Sequence, residues 1–386
     1  MLCVANPVWA VGIGIGVGHS TEPAVSGASG RTGTRAIRAE DIILDTSPAR
    51  QVLTLWKNTP RHGNRKGRAE ATRIAGTRAY RTTRWYMQQL LCTGTEAEVA
   101  RALELPDSGV CGFDISPAYQ DQKSVDAMVQ ELDARKISLR KRIAAQVGRY
   151  LPEGRGLRPT TIWFVIASQT MFDAVTLDPY DFARDFLGRS VKPGPELPRE
   201  PIVLVNLAEV LSYGSTTKER VDDLEHVLAH EMFHAAMRNL ESELPGWSRL
   251  VNSTQDPDVA YIARVMLDEG VAHYVDWRDR AGADTLFAWK PGANERLAFN
   301  RLDTALYRLT ENRVETLQLA GHGPLWSKYG AISGMFAVYR IEMARGLAGV
   351  REAIAAGPNE FLRTYREVAA RNPALLKISG ELIRPQ

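Results

Sequence analysis

The chain is poor in cysteine for its length. Only Cys3, Cys92 and Cys111 occur among its 386 residues. Small secreted proteins without a large core rely on several disulfides, so three cysteines exclude a disulfide scaffold. One bridge, between Cys92 and Cys111, is left open for an oxidising compartment.

The sequence has no large excess of charge of one sign. Forty-eight lysines and arginines face 45 aspartates and glutamates, which gives a formal net charge of +3. Dedicated nucleic-acid binders carry a concentrated positive charge, and the basic stretch at 61–85 is interpreted as a solvated face. We therefore expect no nucleic-acid partner.

Long apolar runs are missing after the N-terminus. No later stretch reaches the roughly 18 apolar residues that cross a membrane, so we expect no stable membrane span. The first 18 residues, "MLCVANPVWAVGIGIGVG", are apolar and uncharged. They resemble the central region of a signal peptide but lack its positively charged start. Export to the periplasm or the medium is one prediction, and a cytoplasmic location is the alternative.

Composition and local pattern divide what remains into three parts. With 44% hydrophobic and 24% charged residues, the chain can bury a sizeable core. Residues 1–40 are predicted as the apolar N-terminus and a disordered linker, 41–150 as a mainly helical region, and 151–386 as a catalytic domain with C-terminal helices. Within the helical region we predict helices at 84–104 and 117–150.

Two short β-branched and aromatic segments predict a small sheet. They are "TTIWFVIA" (160–167) and "PIVLVNL" (201–207), each flanked by loop residues. Strands among helical segments predict the α+β class, and an extended substrate would pair with the second strand.

Helical periodicity then begins at Thr216, where "TTKE" fits a capping box, and continues to Leu240. Within it, "HEMFH" places His230 and His234 four residues apart on one face. Both imidazoles can then reach one Zn²⁺, and Glu231 is placed to take a proton from a metal-activated water.

A third ligand decides between types of zinc site. The metzincin type needs glycine and histidine where this chain has Met237 and Leu240. The glutamate type needs a downstream helix, and Glu269 lies in one that starts at Asp256 and Pro257. A closed structural site needs a fourth protein ligand, such as His226 or His273.

"HEMFH", followed 35 residues later (269 − 234 = 35) by "DEGVAHYV", resembles the gluzincin zinc metallopeptidases, specifically bacterial families of zinc-dependent peptidases. The similarity extends over about residues 155–345. It implies a zincin-like core of a small sheet, an active-site helix and a glutamate helix. It also implies His230, His234 and Glu269 as zinc ligands, with Glu231 as general base.

The sequence departs from the gluzincin pattern four residues after Glu269. Many gluzincins have an aspartate there, whereas this chain has His273. Support for the ligand histidines is then expected from His273, Asp276 or Asp268. Gly270 is costly within a helix and predicts a close approach of two helices.

Transition-state stabilisation requires a hydrogen-bond donor besides zinc. Tyr329 and His322, which precede an apolar helix, are the candidates. The segment before the active-site helix has no counterpart of the exopeptidase motif of aminopeptidases, so we predict an endopeptidase acting on peptides or proteins. The alternative is a catalytically inactive zinc-binding or interaction protein of the same fold.

Overall fold

A computed structural model describes residues 37–59, 65–89, 94–106, 113–152, 158–169, 172–177, 200–241, 243–247, 256–278, 280, 292–378 and 382. The expected signal-like segment, most of the linker and all three cysteines lie outside the described residues. The predictions about export and about a Cys92–Cys111 bridge therefore remain predictions.

The described residues contain a four-stranded mixed sheet with the order β1-β2-β4-β3. The strands are β1 (Ile42–Asp45), β2 (Thr160–Val165), β3 (Ala174–Leu177) and β4 (Ile202–Asn206). The first three in sheet order are parallel, while β3 runs antiparallel to β4 at one edge. Every residue of β3 and β4 is buried, as their apolar, β-branched sequences require.

Helices make up most of the rest of the described chain, which agrees with an α+β class. In chain order they are α1 (Ser47–Asn58), α2 (Arg65–Ala75), α3 (Arg78–Gln89), α4 (Glu96–Glu104), α5 (Ser116–Gln120), α6 (Gln122–Gly148), α7 (Leu207–Val210), α8 (Thr217–Glu241), α9 (Pro257–Trp277), α10 (Ala293–Arg308), α11 (Arg313–Gly321), α12 (Tyr329–Ala356) and α13 (Pro358–Arg371). None of these is both long and apolar enough to cross a membrane.

The region at 41–150 is not purely helical, because β1 belongs to the sheet and pairs with β2. A four-residue strand is too short to show a clear period. The region is still mainly helical, as predicted, but the single helix predicted at 84–104 is wrong: α3 ends at Gln89 and α4 starts afresh, capped by Thr95 and Glu98 in a capping box. Likewise α5 and α6 replace the single helix predicted at 117–150.

The predicted substrate-pairing strand needs correction as well. The segment 201–207 forms β4, which has β2 on one side and β3 on the other, so its backbone is already paired on both sides. The edge next to it is β3, a strand that the sequence analysis missed. Within the described sheet, an added substrate strand could pair only with an edge strand, β1 or β3.

Three long helices hold the candidate site together. α9 packs between α8 and α12. At the crossing of α9 and α12, a Cβ added to Gly270 would lie 2.6 Å from the Cα of Gly334. Only two glycines allow backbones this close, so the close approach predicted from Gly270 is confirmed.

Candidate metal centre

The helix predicted to carry the histidine motif is present and starts as expected. The Thr216 Oγ1 accepts the Glu219 backbone N–H at 3.2 Å, and the Glu219 carboxylate accepts the Thr216 N–H at 3.0 Å. Val221, Leu224 and Leu228 form the buried face of the next turns of α8, and the helix carries His230, Glu231 and His234 into the core, where each is buried.

The two motif histidines meet through the same ring nitrogen. His230 Nε2 and His234 Nε2 are 3.1 Å apart. On α9, Glu269 faces them: its Oε1 is 3.2 Å from His234 Nε2 and its Oε2 is 3.7 Å from His230 Nε2. Donors around a tetrahedral Zn²⁺ at 2.0–2.1 Å lie about 3.3 Å from one another, so the donor atoms of these three side chains have a suitable spacing.

A third histidine joins the cluster from α9. His273 Nε2 lies 3.9 Å from Glu269 Oε2, and the ring of His273 packs edge-on against that of His230 with centroids 4.6 Å apart. One donor atom from each of His230, Glu269 and His273 falls within 4.8 Å of the others. Three histidines, two from α8 and one from α9, therefore lie near the Glu269 carboxylate.

Several of these donors have no hydrogen-bond partner. Both ring nitrogens of His273 and the Oε2 of Glu269 are buried and unpaired in the described structure. Buried polar atoms are almost always paired, and an unpaired group costs about 1–3 kcal/mol. Imidazole and carboxylate groups, which the histidines and Glu269 supply here, are also ligand types that zinc prefers. The residues present therefore fit a zinc ion.

The ring nitrogen of His234 that faces away from the cluster is held by a charged pair, Asp268 and Arg238. Its Nδ1 lies 3.0 Å from Asp268 Oδ1, and the other oxygen of Asp268 is 3.1 Å from the Arg238 guanidinium. A proton on Nδ1 leaves the lone pair of Nε2 facing the cluster, which is how metal-binding histidines are oriented. Of the three residues proposed for this support, Asp268 occupies the position.

The surroundings shift the pKa values of the two motif histidines in opposite directions. Burial, and then the neighbouring His234, lower the pKa of His230 to about 3. Burial also acts to lower the pKa of His234, but Asp268 and Glu269 outweigh it and raise that pKa well above its usual value. The two carboxylates thus favour positive charge here, as a metal cation would supply.

Glu231 lies next to the donors on α8 but makes a different contact. Its Oε2 accepts a hydrogen bond of 2.8 Å from the Thr176 hydroxyl, and the same hydroxyl is 2.8 Å from the Glu231 carbonyl oxygen. Thr176 belongs to β3, so the edge strand holds this carboxylate. Burial raises the pKa of Glu231 to about 7, although the charge of His234 opposes the shift.

The other candidates predicted from the sequence make hydrogen-bond contacts of a different kind. The Tyr329 hydroxyl donates to the Thr316 carbonyl at 2.8 Å, and His322 Nδ1 is 3.2 Å from the Gln318 carbonyl oxygen. Neither contact involves the cluster. His226 Nδ1 lies 3.9 Å from Asp276 Oδ1.

Sequence reasoning missed Thr176 and Lys328. Thr176 lies in "DAVTLD", which has no motif, and only the sheet brings it to Glu231. Lys328 immediately precedes Tyr329 and is 5% exposed. No sequence signal indicated that this lysine is buried, because lysines are rarely buried.

Residues 103–374 match the family described as "Putative zinc dependent peptidase (DUF5700)". The match spans more than two thirds of the chain, so the chain belongs to this family. The expected resemblance to zinc-dependent peptidases is confirmed, and so is zinc as the expected cofactor. No curated protein and no solved structure matches the chain.

Proposed function

We propose that this protein hydrolyses peptide bonds with a zinc ion held by His230, His234 and Glu269, and with Glu231 as general base. The proposal is based on the different contacts that the motif residues of α8 make. Two imidazoles face Glu269, while the carboxylate between them in sequence is held by Thr176 on the edge strand.

A zinc ion at the three donors would supply Lewis acidity and lower the pKa of a coordinated water. Glu231 takes the proton of the attacking water as the new C–O bond forms. It then gives this proton to the leaving nitrogen when the C–N bond breaks. A carboxyl pKa near neutrality suits both transfers, and the burial of Glu231 favours such a value.

The position of the edge strand supports a peptide as substrate. β3 has β4 on one side, and its Thr176 contacts the proposed base. An extended peptide added to the other side of β3 would therefore run past Glu231, with main-chain hydrogen bonds as its binding energy. Such binding needs no free substrate terminus, which favours an endopeptidase.

One observation favours a second candidate, a closed structural zinc site. His273 provides a fourth buried donor near Glu269, and structural zinc sites have four protein ligands. A protein of this kind would bind zinc without turnover. We favour the enzyme because the carboxylate of Glu231 would have no role in a closed site.

The proposed base is tested by Glu231→Gln, which keeps the shape of the side chain but cannot accept the proton. We expect kcat/KM on a peptide selected from a library to fall by about 10²- to 10⁴-fold with zinc content unchanged. Glu225→Gln is the matched control, since Glu225 lies on the same helix and pairs with Arg142. Wild-type turnover in Glu231→Gln would contradict the role.

A further inference from the structure

Lys328 is a buried cation that lacks a partner of its own. Only 5% of the residue is exposed. Within the described part of the chain, no carboxylate lies within 4 Å of its ammonium group and no hydrogen bond holds it. A lysine this deeply buried is rare unless it is paired with an opposite charge, so its position requires an explanation.

The backbone fixes where Lys328 lies. Its N–H donates to the Leu325 carbonyl at 3.2 Å, and its carbonyl accepts the Ile332 N–H at 2.9 Å. These contacts join the one-turn helix Leu325–Ser327 to the start of α12. The residue is therefore held at a defined junction.

The junction rests on the face of α9 that carries the metal-binding candidates. Two residues before Lys328, the ring of Trp326 packs edge-on against Trp277 at 5.7 Å. Two residues after it, a Cβ added to Gly330 would lie 3.2 Å from Val265 Cγ1. Val265 and Trp277 mark the two ends of a stripe with four-residue spacing, and the members between them are Glu269 and His273.

The charges around Lys328 agree with this position. Burial lowers its pKa, while Glu269, Asp173, Glu231 and Asp276 oppose the shift. In turn, the positive charge of Lys328 contributes to the low pKa of His230 and His273. Lys328 therefore acts electrostatically on the proposed base as well as on the donor cluster.

We propose that the Lys328 ammonium donates a hydrogen bond to the carbonyl oxygen of the scissile amide and stabilises the oxyanion that forms there. This inference rests on the proposed function. When water attacks, its oxygen bonds to the carbonyl carbon and the C=O π electrons move to oxygen. The ammonium neutralises that charge, while Glu231 carries the proton of the water to the leaving nitrogen.

This role differs from that predicted for Tyr329, the next residue. The Tyr329 hydroxyl already donates to Thr316, whereas the Lys328 ammonium has donors to spare. A hydrogen-bond donor that is held in place before the reaction also needs no reorientation when charge develops on the substrate. Lys328 therefore meets the requirement that Tyr329 was expected to meet.

The test compares Lys328→Met with Lys218→Met on the zinc-loaded full chain. Methionine keeps most of the length of the side chain but removes the charge. Lys218 is a matched control, because it is an exposed lysine that pairs with Asp222 on α8. We expect Lys328→Met to lower kcat by about 100-fold or more, with KM changed less than about threefold and zinc content unchanged.

A second readout separates transition-state binding from a structural role. A phosphonamidate analogue of the cleaved peptide mimics the tetrahedral oxyanion, and its affinity for Lys328→Met should fall by about the same factor as kcat/KM. The inference is overturned by unchanged kcat, by an effect confined to KM, or by parallel losses of zinc and stability. Absence of peptide cleavage by the zinc-loaded wild type would instead refute the proposed function, and this inference with it.

Discussion

The two sides of the candidate metal centre are built differently. On one side, His234 is oriented through Asp268 and Arg238 by contacts of 3.0 and 3.1 Å. On the other side, His273 is equally buried, but neither of its ring nitrogens has a hydrogen-bond partner in the described structure. Both imidazoles face Glu269, His234 at 3.2 Å and His273 at 3.9 Å.

This difference indicates which histidine is prepared to bind metal. A ligand whose outer nitrogen is fixed loses little freedom on binding and keeps its lone pair aimed at the metal. His273 is also an imidazole, but no hydrogen bond fixes either of its ring nitrogens in the described structure. We infer that His234 completes the ligand set and that His273 lies beside the open position, where a water and a substrate carbonyl would enter.

The largest expected effect is the contrast between His234→Ala and His273→Ala. We expect the first to weaken zinc binding by more than about 100-fold, because a prepared ligand is lost, and the second to change it by only a few fold. Competition with a chromophoric chelator measures both affinities. Equal losses in the two variants would mean that the site has four protein ligands.

A smaller effect is expected from the support of His234. Asp268→Asn keeps the shape of the side chain but removes the charge that orients the imidazole. Loss of such a partner typically costs 10- to 100-fold in metal affinity, and the same chelator competition should show a loss in that range. If Asp268→Asn binds zinc as tightly as the wild type, the orientation of His234 by Asp268 does not explain why His234 rather than His273 would bind zinc.

Gly270→Ala should have the smallest effect on the difference between His234 and His273, because it moves Glu269 and His273 together. The added methyl would lie 2.6 Å from the Gly334 backbone, so α9 and α12 must separate and carry both Glu269 and His273 with them. We expect a loss of about 1–3 kcal/mol in the free energy of unfolding, measured with denaturant. Gly94→Ala is the control, since nothing lies within 4 Å of its added Cβ.

Local sequence signals predicted the parts of the site that lie within single helices. The capping box at Thr216, the spacing of His230 and His234, and the start of α9 at Asp256 are all present. Each depends on residues a few positions apart, where the geometry of a helix fixes what is adjacent. The contact at Gly270 followed from the cost of glycine within a helix.

Contacts between distant segments were not predictable in the same way. Thr176 reaches Glu231 only because β3 is the edge strand beside β4. The segment 201–207 was wrongly predicted to pair with substrate because the order of the strands in the sheet was not known. The position of Lys328 likewise depends on how the chain before α12 rests on α9. Strand order and helix docking are set by the whole core and leave no short-range pattern.

The most direct test of an open zinc site is X-ray absorption at the zinc edge, recorded on the wild type and on His273→Ala. We predict the same spectrum for both proteins, with a first shell of four nitrogen or oxygen donors that includes two imidazoles. A wild-type shell with three imidazoles, one of which disappears in His273→Ala, would contradict the account and indicate a closed structural site.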